Sequence, residues 1–270
     1  MKFSNPLRVR RLASGLLIAL IFLVPIVYVI MISLESPSQF AAHPMQPPLP
    51  PHIGNFGSAW RQGDLGPEII NTIIYAVGGA GISTGLSLLI AFPIARRLIR
   101  WSSPLFQWFV IGLALPIPYI PLFIEARDLG LYNNRIGYIL LHVEPGLPLG
   151  VILLSAFVSS IPRELDEAAW LDGASYPRYI VSFVAPLAWP SIVITFLYSL
   201  LFVWNDIIGP VVFLASPSLF PVARGVYSFY SSNESAYTLL AAAVMIVSAP
   251  VAILFAASQK QLLRATMGIR

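Results

Sequence analysis

The sequence predicts an all-α fold made of membrane-crossing helices, and three observations carry that prediction. Only 10% of the 270 residues are charged, where a soluble domain carries about 25%. The mean hydropathy is +0.78. Six apolar runs come close to or exceed the roughly 20 residues that a helix needs to cross about 30 Å of hydrocarbon. The polar stretches between them are too short to bury a core of their own, so residues 1–270 read as a single transmembrane domain. There is no cysteine, which excludes disulfides, thiolate nucleophiles and cysteine metal sites. His43, His52 and His142 lack metal-ligand spacing, and no metal or cofactor is expected. The net charge of +4 is dispersed along the chain and argues against a nucleic-acid partner.

The runs fall at 12–33, 69–95, 105–124, 136–160, 186–208 and 236–258. The first is too long for the apolar core of a secretory signal, about 7–15 residues, and reads as a retained span. Residues 34–68 form an outer loop whose "HPMQPPLPPHIGN" favours an extended, polyproline-like spacer. A second outer segment, 209–235, holds Pro217, Pro221 and Gly225, which break any long helix. Lysine and arginine accumulate on the cytoplasmic side, and twelve of the sixteen lie on the side of both termini and of the loop 161–185. Arg61, Arg127, Arg135 and Arg224 fall on the other side. No clear internal repeat is present.

In the loop, "ELDEAAWLDG" predicts a capped helix. Ser160 is the expected N-cap, Pro162 lies in the first turn, and Glu164, Asp166 and Glu167 face the positive end of the helix dipole. Gly173 supplies a residue able to take positive φ, after which the chain starts again at Ser175-Tyr176-Pro177. Leu165, Ala168, Ala169 and Asp172 share one face at i, i+3, i+4, i+7 spacing. Two alanines there let another protein approach the backbone, and Glu164 and Glu167 offer charges to its basic side chains. The competing reading is a plain amphipathic helix at the membrane surface. General acid–base work by these carboxylates is disfavoured, because no histidine lies nearby in the sequence.

The stretch "ELDEAAWLDGASYPRYIVSFVAP" resembles the EAA loop of ABC importer permease subunits, written EAA, three residues, G, nine residues, I-x-L-P. Glu167, Ala168, Ala169 and Gly173 match, and Pro186 closes the motif, while Phe183 and Ala185 depart from it. Asn71-Thr72, "AFPIAR", "LGLYNN" and "WNDIIGP" extend the resemblance over most of the chain, and the tail "QKQLLRATMGIR" is loosely similar. They point to the six-span permeases of carbohydrate uptake. The resemblance implies that Glu164, Leu165, Glu167, Ala168, Ala169, Asp172 and Gly173 form a coupling helix seated in a cytoplasmic ATPase subunit. It also implies a homologous second permease, two ATPase subunits, an extracytoplasmic solute-binding protein, a sugar-like substrate and a bacterial or archaeal inner membrane. The chain lacks GxxxxGK[ST], so ATP hydrolysis is expected of the partner and no enzyme activity of this chain.

Glu144, in "HVEPGLPLG", is a pathway candidate where Pro145, Gly146 and Pro148 unwind a span, or else meets water with His142 at the outer interface. Asp206 either contributes to gating or a pathway beside Trp204 and Asn205, or is a solvated end charge with Trp204 as interfacial anchor. Two rivals remain open from sequence. An ion-coupled secondary transporter would use those same carboxylates, and an integral membrane enzyme would need a catalytic cluster.

Overall fold

The computed structural model describes residues 6–43, 45–231 and 237–267. Its helices are α1 (Pro6–Ser33), α2 (Pro37–Ala42), α3 (Gly54–Gln62), α4 (Leu65–Arg96), α5 (Ser102–Gly112), α6 (Tyr119–Asp128), α7 (Arg135–Leu141) and α8 (Val143–Ser160). They continue as α9 (Glu164–Leu171), α10 (Tyr176–Tyr179), a π turn at Ile180–Val184, α11 (Ala185–Leu187), α12 (Trp189–Trp204) and α13 (Ile208–Phe213). A 3₁₀ turn at Pro217–Leu219, α14 (Val222–Ser231) and α15 (Tyr237–Met267) complete the chain, with no strand among the described residues. Lys2 and Arg270, counted in the charge asymmetry, lie outside the described residues. Two compact units emerge, one from residues 1–66 and 225–250, the other from 67–224 and 251–270.

In the first unit, α1 presents apolar side chains outward along Ser14–Val27, including Leu16, Phe22 and Val24. The outer loop 34–68 departs from the predicted spacer, since much of it is helical. Ser36 accepts a hydrogen bond from the Gln39 N–H and donates its own N–H to Gln39 Oε1, a capping box that starts α2. The Gln39 amide donates to Leu49 O, and Asn55 Nδ2 donates to Ser33 O and Glu35 O, which ties α3 to the end of α1. Among the described residues of this loop, the longest stretch outside helix is the proline-rich one between α2 and α3.

In the second unit, α8 packs against both α5 and α12. A Cβ on Gly146 would come within 2.4 Å of Ser83 Oγ and 2.7 Å of Ser199 Oγ, and one on Gly150 within 2.4 Å of Ser87 Oγ. This small-xxx-small stripe lets α4 and α12 approach the backbone of α8, as membrane helices require when lipid supplies no hydrophobic drive between them. The predicted unwinding at Pro145, Gly146 and Pro148 does not occur. Pro145 falls in the first turn of α8, where its missing N–H is not needed, and the helix break lies one turn earlier at His142. Leu88, Phe92, Leu154, Val158, Tyr179 and Ile180 form the apolar core toward the other end of α8.

Four helices are long and apolar enough to cross a membrane among the described residues, within α1, α4, α7–α8 and α15. The predicted span 105–124 is instead two helices, because Pro116 and Pro118 interrupt it between α5 and α6. The predicted span 186–208 narrows to α12, which meets Tyr176–Leu187 at an 88° bend and makes a fifth crossing if that pair is counted as one.

Candidate functional site

The cytoplasm-predicted loop is fastened to the end of α4. Arg96 donates from Nη1 to Ile161 O at 2.9 Å and from Nη2 to Asp166 Oδ1 at 3.0 Å, with Nε 2.7 Å from Asp166 Oδ2. Both side chains are buried, and Tyr179 donates its hydroxyl to the same carboxylate. A buried carboxylate needs this complete set of donors, because charge taken from water without partners costs several kcal/mol, roughly. Phe92 meets Tyr176 and Tyr179 edge-on at 5.5 and 5.6 Å, so the second short helix docks on the core as well.

The helix α9 begins later than expected. Its N-cap position is Arg163 without a side-chain bond, while Ser160 ends α8 and donates to Phe157 O. The extended Ile161-Pro162 pair intervenes, since a residue before proline avoids the helical region. The end of α9 is as predicted. Gly173 stands at φ +72°, its N–H bonding Trp170 O while Ala174 N–H bonds Ala169 O, a Schellman termination.

The predicted docking face is narrower than its four residues. Ala169 is 3% exposed and belongs to the core, because α9 lies against α4 and α8 through Asp166 and Ala169. Glu164, Leu165, Glu167, Ala168, Asp172 and Gly173 face outward. Two apolar side chains that the sequence reading passed over stand with them, Trp170 at 51% and Leu171 at 89% exposed.

A second polar cluster occupies the opposite end of α8. Asp206 Oδ2 accepts from Tyr138 Oη at 3.0 Å and lies 2.9 Å from His142 Nε2, while Oδ1 accepts the Gly209 N–H at 2.9 Å. His142 Nδ1 is 2.8 Å from Tyr138 O, so each ring nitrogen faces an oxygen atom. A Cβ on Gly209 would sit 2.0 Å from the carboxylate, which explains the glycine in "WNDIIG". Trp204 is buried rather than an interfacial anchor. Glu144 does not join the cluster; it is exposed and shares a cavity of about 170 Å³ with Glu125. Tyr138 and His142 were missed as partners of Asp206. The only available sequence signal was their i, i+4 spacing.

The family-like elements around this cluster turn out to be fasteners. Asn71 Nδ2 donates to Ser218 O and Phe220 O, and Thr72 Oγ1 accepts from Val222 N–H. Asn133 Oδ1 accepts from the N–H groups of Ala215 and Ser216, while Asn134 caps α7. Together they pin the segment that begins after α12.

Long apolar helices with one short helix clamped to their core mark a multi-pass membrane protein. No protein-family model matches the chain. It is 31% identical over 209 residues to the melibiose/raffinose/stachyose import permease MelC of Bacillus subtilis, covering 76% of each chain. It is 27% identical over 267 residues to the diacetylchitobiose uptake permease NgcG of Streptomyces coelicolor, covering 96% of this chain and 88% of the relative. A chain of a bacterial ABC transporter for alginate import superposes with TM-score 0.81 at 22% identity, over 97% of this chain and 99% of that one. The chain belongs to the permease family of carbohydrate-importing ABC transporters.

Proposed function

We propose that this chain is one of two permease subunits of a bacterial inner-membrane importer for a sugar or sugar-like solute, and that it docks a cytoplasmic ATPase through α9. It forms one transmembrane permease domain of six spans with both termini cytoplasmic. Three spans, α1, α4 and α15, are single helices, a fourth, α7–α8, is broken at His142, and α5–α6 and the bent pair ending in α12 supply the other two. Irregular backbone at membrane depth is tolerated where it lines a cavity, and Ile117, in the break before α6, borders one with His142 and Asp206. The other components are a homologous permease, two ATPase subunits and an extracytoplasmic solute-binding protein. The relatives named for melibiose, raffinose and stachyose or for diacetylchitobiose support an oligosaccharide-like substrate.

The observation that carries this reading is the outward face of α9. Leu165, Ala168 and Leu171 are apolar and exposed on a helix whose inward face is locked by Arg96 and Asp166. A rigid knob of that kind transmits a push. Closure of an ATPase dimer on ATP displaces α9, and α8, attached through Ile161, carries the displacement toward the cluster at Asp206. Coupling requires that ATP binding favour one access state over the other.

Affinity capture of the tagged chain from its native membrane tests the docking. Wild type is expected to bring down an ATPase and a second permease, and Ala168→Trp to keep the permease and lose the ATPase. An unchanged ATPase yield in Ala168→Trp refutes the docking face. Glu144 and Asp206 are proposed as pathway-side residues, and family membership disfavours the ion-coupled alternative.

A further inference from the structure

A cavity of about 720 Å³ opens in the second unit between the end of α4, the start of α5 and the end of α8. Its lining mixes apolar side chains, Ile99, Phe106, Ile152 and Ala156, with Arg97, Arg100, Ser103 and Ser159. Neither arginine has an acidic partner among the described residues, although Arg96 beside them is fully engaged. Trp101, 68% exposed, stands between α4 and α5 where an indole would lie at headgroup depth.

Arg97 also occupies a backbone position that glycine normally fills. Its φ is +56°, its N–H bonds Ile94 O and the Leu98 N–H bonds Pro93 O, the bonding of a Schellman termination. A side chain in that conformation costs about 1–2 kcal/mol. Gly173 closes α9 in the same way without that cost. An outlier of this kind points to a use for the side chain it retains.

We propose that this cavity is a binding site for an anionic phospholipid of the cytoplasmic leaflet. The phosphodiester pairs with Arg97 and Arg100, the serine hydroxyls donate to its oxygens, and an acyl chain lies along Phe106 and Ile152. The proposal rests on the orientation given above, which sets the arginines in the leaflet where anionic headgroups are concentrated and basic pockets between helices hold them. A bound lipid there braces α5 against α8, next to the clamp that holds α9.

The intact importer, with its partner subunits, is placed in nanodiscs of phosphatidylcholine containing or lacking phosphatidylglycerol, then released and weighed by native mass spectrometry. Wild type is expected to retain phosphatidylglycerol and not phosphatidylcholine. Retention should fall roughly fivefold in Arg100→Gln and about thirtyfold in Arg97→Gln/Arg100→Gln, at the strength expected of each basic residue near a membrane surface. If the double variant does not assemble, Arg100→Gln alone decides. Equal retention in variant and wild type overturns the site, as does retention of phosphatidylcholine at the same level. Displacement of the lipid by millimolar inorganic phosphate also overturns it, because the cavity then reads a free anion and not a lipid. The orientation is checked separately with Ser175→Cys in this cysteine-free chain. Labelling by an impermeant maleimide in inverted vesicles only upholds the orientation, and labelling in intact cells overturns it whatever the lipid result.

Discussion

The two ends of α8 are each held by an aspartate, a tyrosine and a basic side chain, but the basic side chains differ in kind. At the end near α9, Arg96 grips Asp166 and the Ile161 carbonyl together, and both charged partners are buried. A guanidinium keeps its charge and its planar fork under all physiological conditions. At the other end, Asp206 is held by single bonds from Tyr138, His142 and Gly209 beside a cavity. A histidine offers two nitrogens whose donor roles depend on its protonation. The difference separates an end built to move as one piece with its loop from an end whose contacts can be exchanged one at a time. About 27 Å of helix connects them, from 18 residues at a rise of about 1.5 Å each.

Breaking the inner clamp is expected to have the largest effect. Asp166→Asn leaves the Arg96 guanidinium buried without its counter-charge, at a cost of about 3–5 kcal/mol. Thermal unfolding of the purified subunit should register the loss. Arg96→Met/Asp166→Leu should recover most of it, because no orphaned charge remains. An Asp166→Asn protein that melts like wild type removes the basis for treating the loop and α4 as one body.

The outer cluster should yield less. Asp206→Asn keeps an acceptor and loses the charge, and about 2 kcal/mol is expected for hydrogen bonds that involve an ionised group. Solute uptake in vesicles is the sharper readout, since the cluster sits beside the interrupted helix before α6. A loss as large as that of Asp166→Asn would erase the distinction between the two ends. Gly173→Val acts beyond the clamp and is expected to cost about 1–2 kcal/mol, because a β-branched residue resists φ near +72°. Its mark should be reduced ATPase capture with the permease pair intact, and normal transport would count against the turn as a coupling element.

The sequence revealed the loop at α9 well because its information is local. Capping carboxylates, a Gly173 turn and an apolar stripe all lie within one short stretch. It did not reveal which stripe residue turns inward, since Ala169 and Ala168 differ only in what packs over them. The clamp pairs residues 70 apart and the outer cluster pairs residues 64 apart, so neither is written in spacing. Hydropathy alone did not show where a span is interrupted: 105–124 is apolar throughout, yet Pro116 and Pro118 separate α5 from α6. The outer loop was misjudged for the opposite reason. Its prolines drew the reading, while Ser36 and Gln39 quietly formed a capping box.

A third buried carboxylate supplies the control for both ends. Glu35 is 1% exposed, and neither carboxylate oxygen has a hydrogen-bond partner among the described residues. Burial raises its pKa above the ordinary 4.5, because desolvation penalises the charged form. Between the ordinary value and the raised one, the folded chain therefore holds a proton that the unfolded chain releases. Stability is fully present below the ordinary value and falls as pH rises through the folded-state pKa. Glu35→Gln lacks that titration, so its melting temperature should fall less than that of wild type as pH rises above 4.5. At pH 8 the variant should be the more stable by about 1 kcal/mol, the scale of one unpaired buried polar group and the smallest effect predicted for these sites. Parallel melting of the two proteins across that range would mean that Glu35 is not left unpaired.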